Sequence, residues 1–348
     1  MPIVGGFDVH RTQITFDYLD TDSGEVTTGQ IRPATREVLR RWLSRFRGRA
    51  DVAFAVEGCT GWRFVVEELQ RAGVKPQLAE TAETATLRGP KKRAKTDRAD
   101  ARLLRQLLLE RRLPVAWIPP TEVLELRTLG RVYVTLMAER RAWQQRIHAQ
   151  LFHQGAPAIV GLLTADGTAA LSQSEVSPAA RQAIETAMTM ISALTASIVP
   201  LRAQLETIGR AQPAVRALRR LYGIGVLSGT IIWAELGDCH RFASADQVVR
   251  FAGLDVSVWS SNTRRSAGHL ARQGSPELRW ALYEAAKCAA KPSSPDHAYY
   301  LQLRSRLTPK QAALAGARKL ARRCYHALRE CGAQPGGAAE RAGLSAAA

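Results

Sequence analysis

Hydrophobic and polar residues alternate along the first part of the chain with the period of β-strands. Residues 3–10 form a short apolar run, residues 13–19 and 25–31 alternate, and Asp22-Ser-Gly24 forms a turn between the last two segments. Successive side chains of a strand point to opposite faces, so an alternating segment suits a strand with one buried face. The pattern predicts three antiparallel strands that follow one another as a meander.

After residue 31, segments with the helical pattern alternate with segments with the strand pattern. The sequence indicates a helix over 35–46, a buried strand over 51–56, a helix over 62–72 and a short strand over 75–78, and a helix with an apolar stripe starts near Asp97. The order β-β-β-α-β-α-β-α is that of the RNase H-like fold. We therefore predict that the chain begins with an α/β domain of this type.

Two long helices are predicted in the middle of the chain, over residues 121–154 and 178–209. The second has apolar residues near heptad spacing, which suits either a helical hairpin within one chain or a coiled coil between chains. Their arginine-rich faces could also lie against nucleic acid. The sequence leaves both packing interpretations open.

The last part of the chain is predicted to be mainly α-helical. Its Gly223-Ile-Gly225 turn is typical of a helix-hairpin-helix element, in which the backbone can approach a phosphate. A polar loop rich in serine and arginine follows Gly253, and residues 299–329 form a basic helical surface. The predicted segments are an RNase H-like domain over 1–115, a coiled-coil-like segment over 116–212, a C-terminal domain over 213–332 and a disordered tail over 333–348.

The charge balance indicates a polyanionic partner. The 348 residues include 49 Lys and Arg against 31 Asp and Glu, a formal net charge of +18. An excess of this size predicts nucleic acid as the partner, with a membrane surface as the weaker alternative. No apolar run approaches the roughly 20 residues needed to span a bilayer, so no membrane association is expected.

The cysteines and the N-terminus bear on the cellular compartment. The five cysteines are scattered without a C-x-x-C motif, so neither a disulfide framework nor a zinc site is expected. The N-terminus lacks the charged and apolar regions of a signal peptide. These features predict a cytoplasmic protein that is associated with the nucleoid.

Four acidic residues are the candidates for catalysis. Asp97 and Asp100 are spaced i, i+3, which places both on one face of a helix, and Thr96 suits its N-cap. On the predicted topology Asp8 lies in the first strand and Glu57 ends the neighbouring fourth strand. The four carboxylates would converge at one edge of the sheet, where they could hold two Mg²⁺ ions for an in-line phosphoryl displacement.

The same residues allow a plainer interpretation. The helix from Asp97 could be a solvated face with ordinary Asp/Arg pairs, and His10 is interpreted as a polar residue that ends the first strand. If the acids are functional, the cations around them are predicted to bind a phosphate backbone. These cations are Lys91, Lys92, Arg93, Lys95 and Arg98.

The serine-rich loop supplies a candidate nucleophile. A hydroxyl beside guanidinium groups could attack phosphorus while the arginines neutralise the charge that develops. Alternatively, the loop is a flexible basic segment whose serines only contact phosphate, which the residues alone support better. The arginines in question are Arg264, Arg265, Arg272 and Arg279.

Taken in order, these motifs resemble the DEDD transposase family of the insertion sequence one-ten type over nearly the whole chain. The N-terminal resemblance rests on Gly6-Phe-Asp8-Val, Glu57-Gly-Cys-Thr-Gly61 and Lys95-Thr-Asp97-Arg-Ala-Asp100-Ala. The C-terminal resemblance rests on Gly253-Leu, Ser261, Gly268-His-Leu, Gly274 and Leu278-Arg279. The chain departs from the family at Asn262, where a glycine is usual, and at Val256, where a proline is common.

The resemblance implies a RuvC-like N-terminal domain whose four acids bind Mg²⁺ and a C-terminal transposase domain whose nucleophile is Ser261, with the adjacent Ser260 as the other register. It further implies cleavage and rejoining of double-stranded DNA, a transient phosphoserine linkage, a guide RNA encoded in the same element, and a homo-oligomer. Two other functions stay open: a junction-type metal-dependent endonuclease in which water attacks, and a non-catalytic nucleic-acid-binding protein.

Overall fold

The computed structural model describes residues 2–88, 96–257, 260–261, 264–265, 268–271 and 273–332, with residues 257, 260, 261, 264, 265 and 269 described by their backbone alone. The chain divides into two compact units, Met1–Ile118 and Pro119–Ala348. Several predicted features lie outside the described residues: Lys91, Lys92, Arg93, Lys95, Arg272 and the tail over 333–348.

The first unit is built on a mixed sheet of six strands. These are β1 (Ile3–Val9), β2 (Ile14–Asp20), β3 (Val26–Ile31), β4 (Val52–Glu57), β5 (Lys75–Ala79) and β6 (Val115–Ala116), in the spatial order β3-β2-β1-β4-β5-β6. The first three strands are antiparallel, β4 lies parallel to β1, β5 lies parallel to β4, and β6 is antiparallel to β5. The predicted meander and the predicted pairing of the first and fourth strands are confirmed.

Helices pack on both faces of this sheet. They are α1 (Arg36–Leu43), α2 (Trp62–Arg71), α3 (Thr81–Thr86) and α4 (Asp97–Leu109). Because alternate residues of a strand face opposite sides, Phe7 and Phe54 pack with α1 and α2, whereas Val4, Ala53 and Ala55 pack with α4. The predicted order of elements is confirmed. The sequence pattern does not show α3 and β6, because periodicity cannot reveal a six-residue helix or a two-residue strand.

The second unit is mainly helical. Its helices are α5 (Thr121–His153), α6 (Ala165–Gln173), α7 (Pro178–Ala211), α8 (Pro213–Leu218), α9 (Val226–Leu236), α10 (Ala245–Phe251), α11 (Pro276–Ala286), α12 (His297–Arg304) and α13 (Pro309–Glu330). Four two-residue strands lie between α10 and α11: β7 (Val256–Ser257), β8 (Ser260–Ser261), β9 (Arg264–Arg265) and β10 (His269–Leu270). The chain as described is thus mixed α/β, with more helix than strand.

The two long helices α5 and α7 form a hairpin. Ile147 and Leu151 near the end of α5 pack against Ile184 and Ile191 in the first half of α7, so the two helices run in opposite directions. The heptad-like residues of α7 therefore contact the same chain at these positions. The hairpin alternative holds for this part of the helix, and a contact between chains stays a prediction.

Helix α7 corrects one expectation from the sequence. Among the described residues, α7 is one helix that is long and apolar enough, by length and composition alone, to cross a membrane. The expectation that no run approaches that length is therefore wrong for this segment. Since α7 packs along α5 in the hairpin, its apolar residues also suit a helix packed within a protein.

Candidate metal centre

Two acidic residues lie where neighbouring parallel strands end. Phe7 of β1 pairs in register with Val56 of β4, so Asp8 and Glu57 are the next residues along the two strands. Asp8 is only 3% exposed, and Glu57 is partly buried. The sheet therefore places two carboxylates side by side, as the sequence predicted.

A glycine allows α4 to approach β1 closely. A Cβ atom on Gly6 would lie 2.2 Å from the carbonyl oxygen of Ala101 and 2.7 Å from the backbone nitrogen of Arg105. Any larger residue would push the helix backbone away, because real Cβ contacts do not come so close. The absence of a side chain at Gly6 thus sets the distance between α4 and the strand that carries Asp8.

The start of α4 brings the other two acids to the same edge. The Thr96 hydroxyl oxygen accepts a hydrogen bond from the backbone N–H of Ala99, which caps the helix. Asp97 and Asp100 occupy its first turn, where a carboxylate also interacts favourably with the helix dipole. The helix start is therefore well defined at the point where it meets the strand ends.

His10 connects an acid of the strand with an acid of the helix. Its Nε2 atom lies 3.2 Å from Oδ2 of Asp8 and 3.4 Å from Oδ1 of Asp97. The side-chain amide of Gln13 donates a hydrogen bond of 2.9 Å to the other oxygen of Asp97. Asp8, His10 and Asp97 each offer one ligand atom, and these three atoms lie within 4.8 Å of one another. Three ligand atoms at this spacing can bind one metal ion.

Arg88 connects the remaining two acids. Its Nη2 atom lies 3.5 Å from Oε1 of Glu57 and 3.5 Å from Oδ2 of Asp100. The four predicted acids are therefore gathered in one cluster, but as two pairs that each share a basic side chain. His10 lies between Asp8 and Asp97, and Arg88 lies between the other pair.

The electrostatics of the cluster favour a cation. Burial raises the pKa of the Asp8 carboxyl from its ordinary value of 3.8 to about 6. His10 lowers this pKa, whereas the carboxylates of Glu57, Asp100 and Asp97 raise it. A buried acid among like charges is costly to ionise, and a divalent cation would relieve that cost. The donors, carboxylate oxygens and one imidazole nitrogen, fit such an ion chemically.

Two members of this cluster are not predicted by the sequence. The sequence favours a strand-end role for His10, and it does not single out Arg88. A signal for His10 is present, since Asp8 and His10 are two residues apart and residues at that spacing point to the same side of a strand. Arg88 lies in a turn after α3, and the sequence pattern of a turn does not predict which way a side chain points.

Four of the residues predicted to bind nucleic acid lie in the part of the chain that the structure describes. Arg98 is exposed on α4. Arg279 on α11 donates a hydrogen bond of 3.0 Å to the carbonyl oxygen of Ala252, which ties α11 to the end of α10. Arg264 lies in β9, and Ser261 pairs with it in the antiparallel register of β8 and β9. Arg265 pairs with Ser260 in the same way. The roles of these residues stay predictions.

Two families of known proteins match different parts of this sequence. Residues 5–153 match the family of DEDD transposases of the IS110 type, whose description is "Transposase". Residues 215–301 match a second family, whose description is "Transposase IS116/IS110/IS902 family". The first match contains all four acids, and the second contains the serine loop.

Two curated relatives are similar to parts of the chain. A putative transposase, y4rJ, of Sinorhizobium fredii is 27% identical over 243 residues, which cover 63% of this chain and 60% of that protein. The uncharacterized 43.6 kDa protein of insertion element IS110 from Streptomyces coelicolor is 29% identical over 120 residues, 34% of this chain and 30% of that protein. The matched regions thus span less than two thirds of either relative. With both family matches in order along one sequence, the chain belongs to the IS110 family of DEDD transposases.

Proposed function

We propose that this protein cleaves and rejoins DNA during transposition and that Asp8, Glu57, Asp97 and Asp100 hold the divalent metal ions that the reaction requires. The observation that carries the proposal is the convergence of these acids from β1, β4 and α4 at one sheet edge. The strand order β3-β2-β1-β4-β5 and the match to DEDD transposases support an RNase H-like, RuvC-like fold for the first unit.

Mg²⁺ is the ion that the oxygen-rich donors favour, and when bound it would neutralise the attacking and leaving oxygens of a phosphoryl displacement. The chain's own residues prepare this site. Asp8 supplies a buried carboxylate, and Asp97 supplies one that is oriented by the amide of Gln13. His10 contacts both carboxylates and fixes their separation.

We propose Ser261 as the nucleophile. Its hydroxyl oxygen would form a bond to phosphorus while a bond from phosphorus to a sugar oxygen breaks, and the proton would pass to the leaving oxygen. The reverse attack by a sugar hydroxyl would rejoin the DNA and release the serine. The match of residues 215–301 to the transposase family supports the placement, and Ser260 is the alternative register.

The proposed partners follow from charge and family. Double-stranded DNA from the element ends and the target would bind the basic surface of a chain with net charge +18, and Gly223 and Gly225, in the turn before α9, would let the backbone approach a phosphate. We further propose a guide RNA encoded by the element, action as a homo-oligomer in the cytoplasm at the nucleoid, and separate roles for the segments 116–212 and 213–332.

The test of the metal site is an excision assay in cells that carry the element. Asp8→Asn keeps the size of the side chain and removes its charge, so excision should fall at least about a thousandfold, as expected when a metal-dependent step is lost. Asp22→Asn, in an exposed turn of the same unit, is the matched control and should excise normally. Normal excision by Asp8→Asn would reject the proposed metal site and favour a non-catalytic DNA-binding protein.

The serine is tested separately, because the acid cluster lies entirely within the first unit and could activate water on its own. Purified protein is incubated with Mg²⁺, the guide RNA and labelled element-end DNA, then denatured and searched for protein joined covalently to DNA. The adduct is expected from the wild type and not from Ser261→Ala. Cleavage by Ser261→Ala without an adduct would show a nuclease that uses water.

A further inference from the structure

We propose that Arg88 takes the place of a cation between Glu57 and Asp100, and that its guanidinium must move away before a divalent ion binds these two acids. The inference rests on the proposed metal-binding function and adds a residue to it. A single nitrogen of Arg88 lies 3.5 Å from a carboxylate oxygen of each acid, the position that a bridging cation would occupy.

The geometry at Arg88 differs from that of the arginines that hold this protein together. Arg131 forms a two-pronged pair with Glu235 at 3.0 and 3.2 Å, and Arg40 forms one with Glu68 at 2.9 and 3.1 Å. Such paired hydrogen bonds are strong and directional. In both of these pairs, the guanidinium makes short contacts to both oxygens of one carboxylate.

Arg88 has no such contacts among the described residues. Its two pairs, at 3.5 Å, are ion pairs too long for strong hydrogen bonds. Its Nε atom is buried and, within the part of the chain that the structure describes, has no hydrogen-bond partner. With respect to the described residues, the guanidinium thus neutralises charge without directed hydrogen bonds, and moving it away from Glu57 and Asp100 breaks few specific interactions.

The two halves of the cluster are not equivalent in this respect. His10, which lies between Asp8 and Asp97, can remain beside a metal ion as a ligand, because a neutral imidazole nitrogen binds metals. A guanidinium cannot, since it stays positively charged and has no lone pair to offer. A divalent ion between Glu57 and Asp100 must therefore compete with Arg88, and the first ion is expected to bind at Asp8 and Asp97.

The competition is measured by titrating the purified full-length chain with Mn²⁺ in the absence of DNA, using calorimetry or the electron paramagnetic resonance of free Mn²⁺. The affinity of the weaker site should rise about tenfold in Arg88→Gln, which corresponds to about 1.4 kcal/mol of ion-pair energy that the wild type gives up. Arg88→Lys keeps the charge and is expected to bind Mn²⁺ more weakly than Arg88→Gln. Its affinity should stay close to that of the wild type, and Arg88→Ala, which also removes the charge, replaces the glutamine variant if that variant does not fold.

Arg98→Gln is the matched control, because Arg98 lies between Asp97 and Asp100 in sequence and is exposed. Its removal reports the general effect of losing one positive charge near the cluster, and the rise should be clearly smaller. If Mn²⁺ affinity rises equally in Arg98→Gln, or if Arg88→Gln and the wild type bind Mn²⁺ equally well, the proposed role of Arg88 is wrong. The proposed metal site would stand in either case. If neither protein binds Mn²⁺, the metal site itself is wrong and the role of Arg88 falls with it.

Discussion

At the scale of single residues, the buried carboxylate of Asp8 is expected to lower the stability of the folded protein at neutral pH. The residue is buried, its pKa is raised to about 6, and its neighbours Glu57, Asp97 and Asp100 add negative charge. A folded state that must ionise such a group at neutral pH loses stability relative to the unfolded chain, where the group ionises freely. The cluster is therefore expected to be strained until a cation is bound.

The pH dependence of this effect gives a prediction for Asp8→Asn. In the metal-free wild type, Asp8 is protonated in the folded state but ionised in the unfolded state between pH 3.8 and about 6, so its contribution to stability is lost as the pH rises through this range. Asparagine removes this loss. At pH 7.5 the variant should be more stable than the wild type by about 1–3 kcal/mol.

Urea denaturation at several pH values, with a chelator present, measures the difference. Asp22→Asn, in an exposed turn, serves as the control and should follow the wild-type curve. Added Mg²⁺ should stabilise the wild type and leave Asp8→Asn nearly unchanged, because only the wild type keeps the buried carboxylate. A variant that is less stable than the wild type at every pH would contradict the proposed strain.

At the scale of secondary structure, the site depends on how closely α4 packs on β1. The helix contributes two of the four acids, and its approach is possible because Gly6 has no side chain against the backbone of Ala101 and Arg105. The buried residues Ala53 and Ala55 keep the same face of β4 shallow. Small residues on one face of two strands thus allow acidic side chains some ninety residues apart in sequence to come together.

Gly6→Ala tests this packing. The added methyl group would meet backbone atoms at 2.2 and 2.7 Å, which cannot move as a side chain can, so α4 must shift. We expect a loss of about 1–3 kcal/mol in the free energy of unfolding, typical of overpacking, together with weaker Mn²⁺ binding. Gly225→Ala is the control, because a Cβ atom on Gly225 would meet nothing within 4 Å. Unchanged Mn²⁺ affinity in Gly6→Ala would show that the helix position does not set the site.

The strands and the helix that form the cluster could be predicted from the sequence, but the pairing of their side chains could not. The alternating strands, the Asp97–Asp100 spacing and the Thr96 cap are local patterns, and each is predictable because its cause lies within a few residues. The contacts of His10 with Asp97 and of Arg88 with Asp100 depend on side-chain directions across the fold, which no local pattern encodes. The sequence therefore predicts which acids converge, but not how they are paired.

At the scale of the whole molecule, the chain assigns its candidate groups to two units. All four acids lie in Met1–Ile118, and Ser261 lies in Pro119–Ala348. Recombination chemistry that uses both would need DNA to engage both units, whereas hydrolysis by the acids alone would not. If both units serve one reaction, Asp8→Asn should lose the covalent adduct as Ser261→Ala does.

The net charge of +18 gives a prediction for DNA binding that involves the whole surface. Each phosphate that a Lys or Arg neutralises releases counterions, so the logarithm of the binding constant should fall linearly with the logarithm of salt concentration. If the chain contacts at least six phosphates, raising the salt from about 50 to about 200 mM should weaken binding to duplex DNA about a thousandfold or more. Fluorescence anisotropy with a labelled duplex measures this slope.

Substitutions of two arginines distinguish a side chain that contacts phosphate from one that stabilises the fold, because the first should change the salt dependence of DNA binding more than the second. Arg98 is exposed on α4, so Arg98→Gln should reduce the slope by about 1, as expected for the loss of one phosphate contact. Arg279 donates a hydrogen bond to the carbonyl oxygen of Ala252 and is partly buried, so Arg279→Gln should lower stability and change the slope less. A wild-type slope that corresponds to fewer than about two contacts would contradict binding of duplex DNA through the basic surface.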